Sequence, residues 1–123
     1  MALAEFLKAS PKAEFVNYPS LPGDKYYDVA MKYMPKGSCG VVSFGVKGGR
    51  AAAEGFMKKL RIFAIETHVA DARSCCLHPA SSTHRQLTDA ELLACGVAGN
   101  LVRMSCGLEN TEDLVADVAN ALG

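Results

Sequence analysis

The sequence predicts an α/β chain of the α+β type, with one mostly antiparallel sheet and helices packed on a single face. Three observations carry this expectation. The length of 123 residues fits one domain of ordinary size. Half of the residues are apolar and 21% are charged, enough to bury a core and too hydrophobic for a disordered segment. Helical and extended periodicities then alternate along the chain, roughly αβαβαββαβα, with hairpin-length links in the middle and no internal repeat.

Taken in order, Ala2 to Ala9 reads as a short helix, with Leu3, Phe6 and Leu7 at helical spacing and Pro11 beyond its end. Glu14 to Tyr18 is extended, and Pro19, Pro22 and Gly23 break the chain. Asp24 is placed to cap a helix reaching about Met34, with Tyr27, Ala30, Met31 and Met34 on one stripe. Gly40 to Val46 is the clearest strand, with Val42, Phe44 and Val46 on one side and Val41, Ser43 and Gly45 on the other. Lys47-Gly48-Gly49 turns into a helix whose Ala53, Phe56, Met57 and Leu60 share a face. Ile62 to Thr67 is extended, Val69 to Ser74 is polar, and a short strand at Cys75 to His78 leads into a loop through His84. Thr88-Asp89-Ala90-Glu91 is a capping box opening a short helix that Gly96 closes. Leu101 to Cys106 forms the last strand. Asn110-Thr111-Glu112-Asp113 starts the final helix, with Leu114, Val118 and Leu122 along one side.

Composition excludes several functions. Thirteen Lys+Arg balance thirteen Asp+Glu, and a pI near 6.8 argues against a nucleic-acid binder that works by neutralising phosphates. No run of 18 apolar residues is present, so no membrane span is expected, and Glu5 falls too early for a secretory signal. Five cysteines, an odd number without C-x-x-C spacing, point to a reducing, cytoplasmic compartment rather than a disulfide framework.

Among residues that could carry chemistry, Arg103 stands first. Strand alternation puts Val102, Met104 and Cys106 on one side and Leu101, Arg103 and Ser105 on the other. A guanidinium in the middle of an apolar strand must reach solvent, an acidic partner or an anionic ligand, because burying it alone is prohibitive. Its planar fork suits a carboxylate. The loop His78-Pro79-Ala80-Ser81-Ser82-Thr83-His84 gathers hydroxyls and imidazoles that serve a polar ligand or their own backbone equally well. His68, His78 and His84 match no compact zinc spacing. Gly45 to Arg50 lacks either phosphate-loop pattern, and the neighbours Cys75 and Cys76 point to opposite faces of a strand. No self-contained catalytic site emerges from spacing.

Five phrases occur in order: Val16-Asn17-Tyr18-Pro19-Ser20-Leu21, Gly40-Val41-Val42-Ser43-Phe44, Asp71-Ala72-Arg73-Ser74, His78 to Leu87, and Val102-Arg103-Met104-Ser105-Cys106-Gly107-Leu108-Glu109. Together they resemble the C-terminal domain of the Cys/Met-metabolism family of pyridoxal-phosphate (PLP) enzymes, over nearly the whole chain. Within it, the DARS phrase followed by the HPAS-type loop is most similar to the O-acetylhomoserine sulfhydrylase branch. The resemblance implies residues 1–10 as the tail of an inter-domain helix and 11–123 as the small C-terminal domain of a fold-type I enzyme. It also implies a reaction in which O-acetyl-L-homoserine loses acetate and gains sulfide or a thiol, giving homocysteine or methionine, with PLP as electron sink. The complete enzymes of the family are homotetramers.

Carried over by position, Arg103 matches the arginine that clamps the substrate α-carboxylate, and Thr83 matches a threonine lining the substrate pocket. His68 stands where the family has a small Asn or Ser that helps hold the same carboxylate and the cofactor. Ala70 replaces the glycine beside it, which is expected to disfavour the usual turn. No segment resembles the Schiff-base lysine motif, the ring-stacking tyrosine or the phosphate-binding loop of the large domain. The chain is therefore expected to be a fragment, with PLP held by the missing domain and no turnover of its own. The alternatives are a methionine γ-lyase or cystathionine-type domain, and a stand-alone amino-acid-binding module.

Overall fold

A computed structural model describes residues 1–123 and runs α1 (Ala2–Ala9), β1 (Ala13–Asn17), α2 (Tyr27–Tyr33), β2 (Val41–Val46), α3 (Gly49–Lys59), β3 (Ala64–Ile65), β4 (Cys75–Leu77), a 3-10 turn (Pro79–Ser81), α4 (Asp89–Ala94), β5 (Leu101–Ser105) and α5 (Thr111–Leu122). The strands lie in the order β1-β2-β5-β4-β3. The pairs β1–β2, β2–β5 and β4–β5 are antiparallel, whereas β3 runs parallel to β4. The sheet is thus mixed, which corrects the expected mostly antiparallel sheet at one edge. Residues 66–74 carry the chain back as an open loop instead of a hairpin, so the two strands enter the sheet in the same direction.

One face of the sheet carries the core. Val42, Phe44 and Val46 of β2, Cys76 of β4, and Val102 and Met104 of β5 meet Leu3, Leu7, Ala53, Phe56, Leu114 and Val118 from α1, α3 and α5. Phe44 is fully buried and meets Phe56 edge-on, with ring centroids 5.5 Å apart and planes at 90°. Truncating such a side chain costs about 3–5 kcal/mol. The alternation in β2 and β5 that the sequence predicts is therefore the division between the packed face and the open one.

Caps and turns mark the helix ends. The Thr88 hydroxyl accepts from the Glu91 amide while the Glu91 carboxylate accepts from the Thr88 amide, completing the expected capping box. Asn110 caps α5 through the Glu112 amide at 2.8 Å. Gly48 and Gly49, at φ +109° and +80°, make the tight turn between β2 and α3. Two expectations change. Asp24 does not cap α2, since its carboxylate accepts from the amides of Tyr18 and Tyr26, and the helix begins at Tyr27 with only Ala30 buried. The extended run from Ile62 to Thr67 narrows to Ala64–Ile65, its start being drawn off because the amides of residues 61, 62 and 63 all donate to the Asp117 carboxylate of α5.

Candidate functional site

The open face of the sheet is organised by strand register. Asn17, Ser43, Arg103 and Leu77 line up across β1, β2, β5 and β4. On one side of this row stand Val41, Ser105 and Cys75; on the other stand Gly45 and Leu101. A side chain at Gly45 would collide with the Phe15 ring, so the glycine lets that ring lie flat along the sheet. Arg103 is the only charged residue in any strand apart from Glu14.

Arg103 is half-buried as a residue, and strand alternation sets its side chain on the face opposite Val102 and Met104 of the core. Its Nη2 donates to the carbonyl of Thr67 at 2.7 Å and reaches that of His68 at 3.4 Å. No acidic partner meets it: the ion pairs of the molecule are Arg50–Asp89, Arg73–Glu66, and His68 with Glu66 and Asp71. Nη1 and Nε make no hydrogen bond within the chain. Neutral carbonyls thus orient the cation while its charge stays unanswered, which is the arrangement an anionic ligand requires.

The loop of residues 66–74 builds this support. His68 turns its carbonyl toward the sheet, where the Cys75 thiol also donates to it at 2.9 Å. The Ala70 amide donates to the buried Ser105 hydroxyl at 3.1 Å. Arg73 closes the base of the loop on Glu66 at 2.6 Å. At the exit of β5, the Glu109 carboxylate accepts from the amide and the hydroxyl of Ser74, both at 2.7 Å, and Ser74 accepts from the Gly107 amide at 2.8 Å. Those contacts, the Ser74 amide foremost, hold the Glu109 carboxyl below its ordinary value. A Cβ at Gly107 would stand 2.3 Å from the Ala72 carbonyl, so only glycine lets the two segments close. Ala70 takes φ +58°, the left-handed turn that an alanine was expected to disfavour.

The other sequence candidates are spread apart. The His68 imidazole is 67% exposed and leans toward Glu66 and Asp71; only its carbonyl reaches Arg103. Thr83 lies exposed beyond the 3-10 turn with its hydroxyl on His84 Nδ1, and no contact joins it to Arg103. His78 is buried between the Ser81 hydroxyl and the Gly99 carbonyl. No group of three His, Cys, Asp or Glu residues is placed to hold a metal ion. Cys76 meets Met57 in the core, and burial drives its thiol far above its ordinary value. Ser105 and the Glu109–Ser74 pair escaped sequence reasoning, although strand alternation had already put Ser105 on the side of Arg103.

Comparison with known proteins bears directly on this geometry. A family model for the Cys/Met metabolism PLP-dependent enzymes matches residues 1–123. The chain belongs to the Cys/Met-metabolism family of PLP-dependent enzymes. It is 45% identical to an O-acetyl-L-homoserine sulfhydrylase of Leptospira meyeri, over 99% of this chain and 28% of that protein. An L-methionine gamma-lyase of Pseudomonas putida is 41% identical over 98% of this chain and 30% of its own length. A crystal structure under the name O-acetylhomoserine (thiol)-lyase from Campylobacter jejuni, carrying pyridoxyl-lysine-5'-monophosphate, superposes with a TM-score of 0.90 at 35% identity. It is covered over 29% of its chain, against 98% of this one. The family member described by this structure therefore spans less than a third of the length of these relatives.

Family members depend on PLP, and the residues present do not fit the cofactor itself. All eight lysines are exposed, none lies in a strand, and none has its amine fixed by an ion pair. Gly48 and Gly49 turn the chain into α3 without a hydroxyl neighbour to cradle a phosphate. The one cation in a strand is Arg103, and no carboxylate pairs with it. No helix is long and apolar enough to cross a membrane.

Proposed function

We propose that this chain is the substrate-carboxylate-binding C-terminal domain of an O-acetyl-L-homoserine sulfhydrylase. Residues 1–10 form the tail of an inter-domain helix and 11–123 the small domain. The complete enzyme replaces the acetate of O-acetyl-L-homoserine by sulfide or a thiol, as a homotetramer in a reducing, cytoplasmic compartment. One observation carries the reading: the Arg103 guanidinium is aimed by two carbonyls, faces the open side of the sheet, and has no carboxylate of its own. Arg103 binds the α-carboxylate and so fixes which end of the amino acid is held. Thr83 and His68 line the pocket that forms when a second domain covers this face. By itself the chain holds no cofactor and gives no turnover.

A domain exchange tests this. Substituting the chain for the matching segment of the Leptospira relative should give a protein that retains PLP and makes homocysteine from O-acetyl-L-homoserine and sulfide. Arg103→Ala in that protein should lower kcat/KM by about a hundredfold, mostly through KM. A chimera that binds PLP and is indifferent to Arg103 would refute the assignment. The similarity to a gamma-lyase favours a second reading, in which the product is an α-keto acid. Product analysis of the same chimera separates the two. Saturable, PLP-independent binding of the homoserine ester by the chain alone would favour an independent amino-acid-binding module.

A further inference from the structure

We propose that Ser105 is a positioning residue: its hydroxyl holds the left-handed turn at Ala70 and so fixes the direction of the Arg103 guanidinium. The purpose given to Arg103 rests on the function proposed above, whereas its ordering by Ser105 is a property of the chain alone.

Ala70 is the one residue other than glycine with a positive φ, +58°. An alanine does not keep that conformation without outside help. The contact that supplies it is local and specific, since the Ala70 amide donates to Ser105 Oγ at 3.1 Å. Ser105 is only 2% exposed and belongs to β5, where it pairs with Val41 on one side and Cys75 on the other. The acceptor is therefore fixed to the most constrained part of the sheet. Two and three residues before Ala70 stand the carbonyls of His68 and Thr67, which bind Arg103 Nη2. The path of the backbone through the turn sets where those carbonyls lie. Ser105 and Arg103 sit two positions apart on one strand and share its open face. The strand that bears the cation thus also bears the post on which its support hangs.

The remainder of the loop has a separate anchor. Ser74 is held by Glu109, and the Ala72 carbonyl accepts from the Leu108 amide at 2.8 Å. Removing the Ser105 hydroxyl should leave this far end docked and relax the turn. That separates positioning from general folding.

The test follows the Arg103 side chain by nitrogen-15 NMR in the 123-residue chain. In the unaltered protein, the Nη2 protons should be resolved and slow to exchange. In Ser105→Ala they should exchange about tenfold faster or more, as expected when one hydrogen bond of ordinary strength is lost. Adding Ala70→Gly to that variant should restore slow exchange, because glycine makes the turn unaided. A side chain that only filled space would give no such rescue. Should Ser105→Ala not fold, Ala70→Val at the exposed position 70 raises the strain with Ser105 intact and should loosen the same signals. Unchanged Arg103 signals in a folded variant, or no restoration by Ala70→Gly, would overturn the proposal. Ordered Arg103 signals in the chain, together with a chimera indifferent to Arg103, would sink the functional reading and leave this one standing.

Discussion

A guanidinium bound through one nitrogen to two main-chain carbonyls keeps its full charge and loses most of its freedom. Arg103 combines both properties, and the residues around it explain how. At Ala70 the cost is conformational: the left-handed region is unfavourable for alanine and open to glycine. Ala70→Gly should therefore raise stability by about 1 kcal/mol, read from the denaturant midpoint at unchanged slope. Glu109 gives a pH signature. Its folded pKa lies below its ordinary value of 4.5 because the Ser74 amide, and then the Ser74 hydroxyl, bind the ionised form. The contribution is fully present above the ordinary value and is lost as pH falls through the depressed one. Acid titration of the unfolding free energy should show a shallower loss below pH 4.5 in Glu109→Gln than in the unaltered chain. Equal slopes would show that the carboxylate does not hold Ser74.

At the scale of elements, side chains decide where strands stop. Periodicity made β2, β5, α3 and α5 legible because their apolar residues recur with the period of the element and face one core. It could not show that Asp117 takes three amides from residues 61–63, since a carboxylate 54 to 56 positions away leaves no local trace. Nor could it show that Thr67 and His68 give their carbonyls to Arg103 instead of to a neighbouring strand. The parallel pairing of β3 was hidden for the same reason. In α2, Tyr27 and Met31 are only half-buried, and Met34 lies beyond the helix with 40% exposure, so a stripe at helical spacing overstated the packed face. Asp117→Ala should cost about 2–4 kcal/mol, since it leaves these three amides without a partner, that of Phe63 buried and that of Ile62 partly so. Chemical denaturation checks this, and a loss under 0.5 kcal/mol would contradict it, being the size expected of an ordinary surface change.

The whole molecule is a sheet with one face closed by α1, α3 and α5; on the other, the 66–74 loop covers Cys75 and Ser105, while Phe15, Val41, Leu101 and Arg103 stay half-buried. An open face of this kind suits a domain that works against another surface, in keeping with a chain covering 28% of its sulfhydrylase relative. Family membership was readable from five ordered phrases, and the side of the sheet on which Arg103 stands was readable from alternation alone. The loop that aims it was not, because its contacts join residues 67–74 to residues 103–109 through the fold. The proposed function requires that Arg103 recognise a carboxylate. The most direct measurement compares, in the chimera, the affinity for O-acetyl-L-homoserine with that for its counterpart lacking the carboxyl group, with and without Arg103→Ala. The substitution should weaken binding of the amino acid by about tenfold or more and leave that of the carboxyl-free amine unchanged. Equal losses for both ligands would contradict the proposed function.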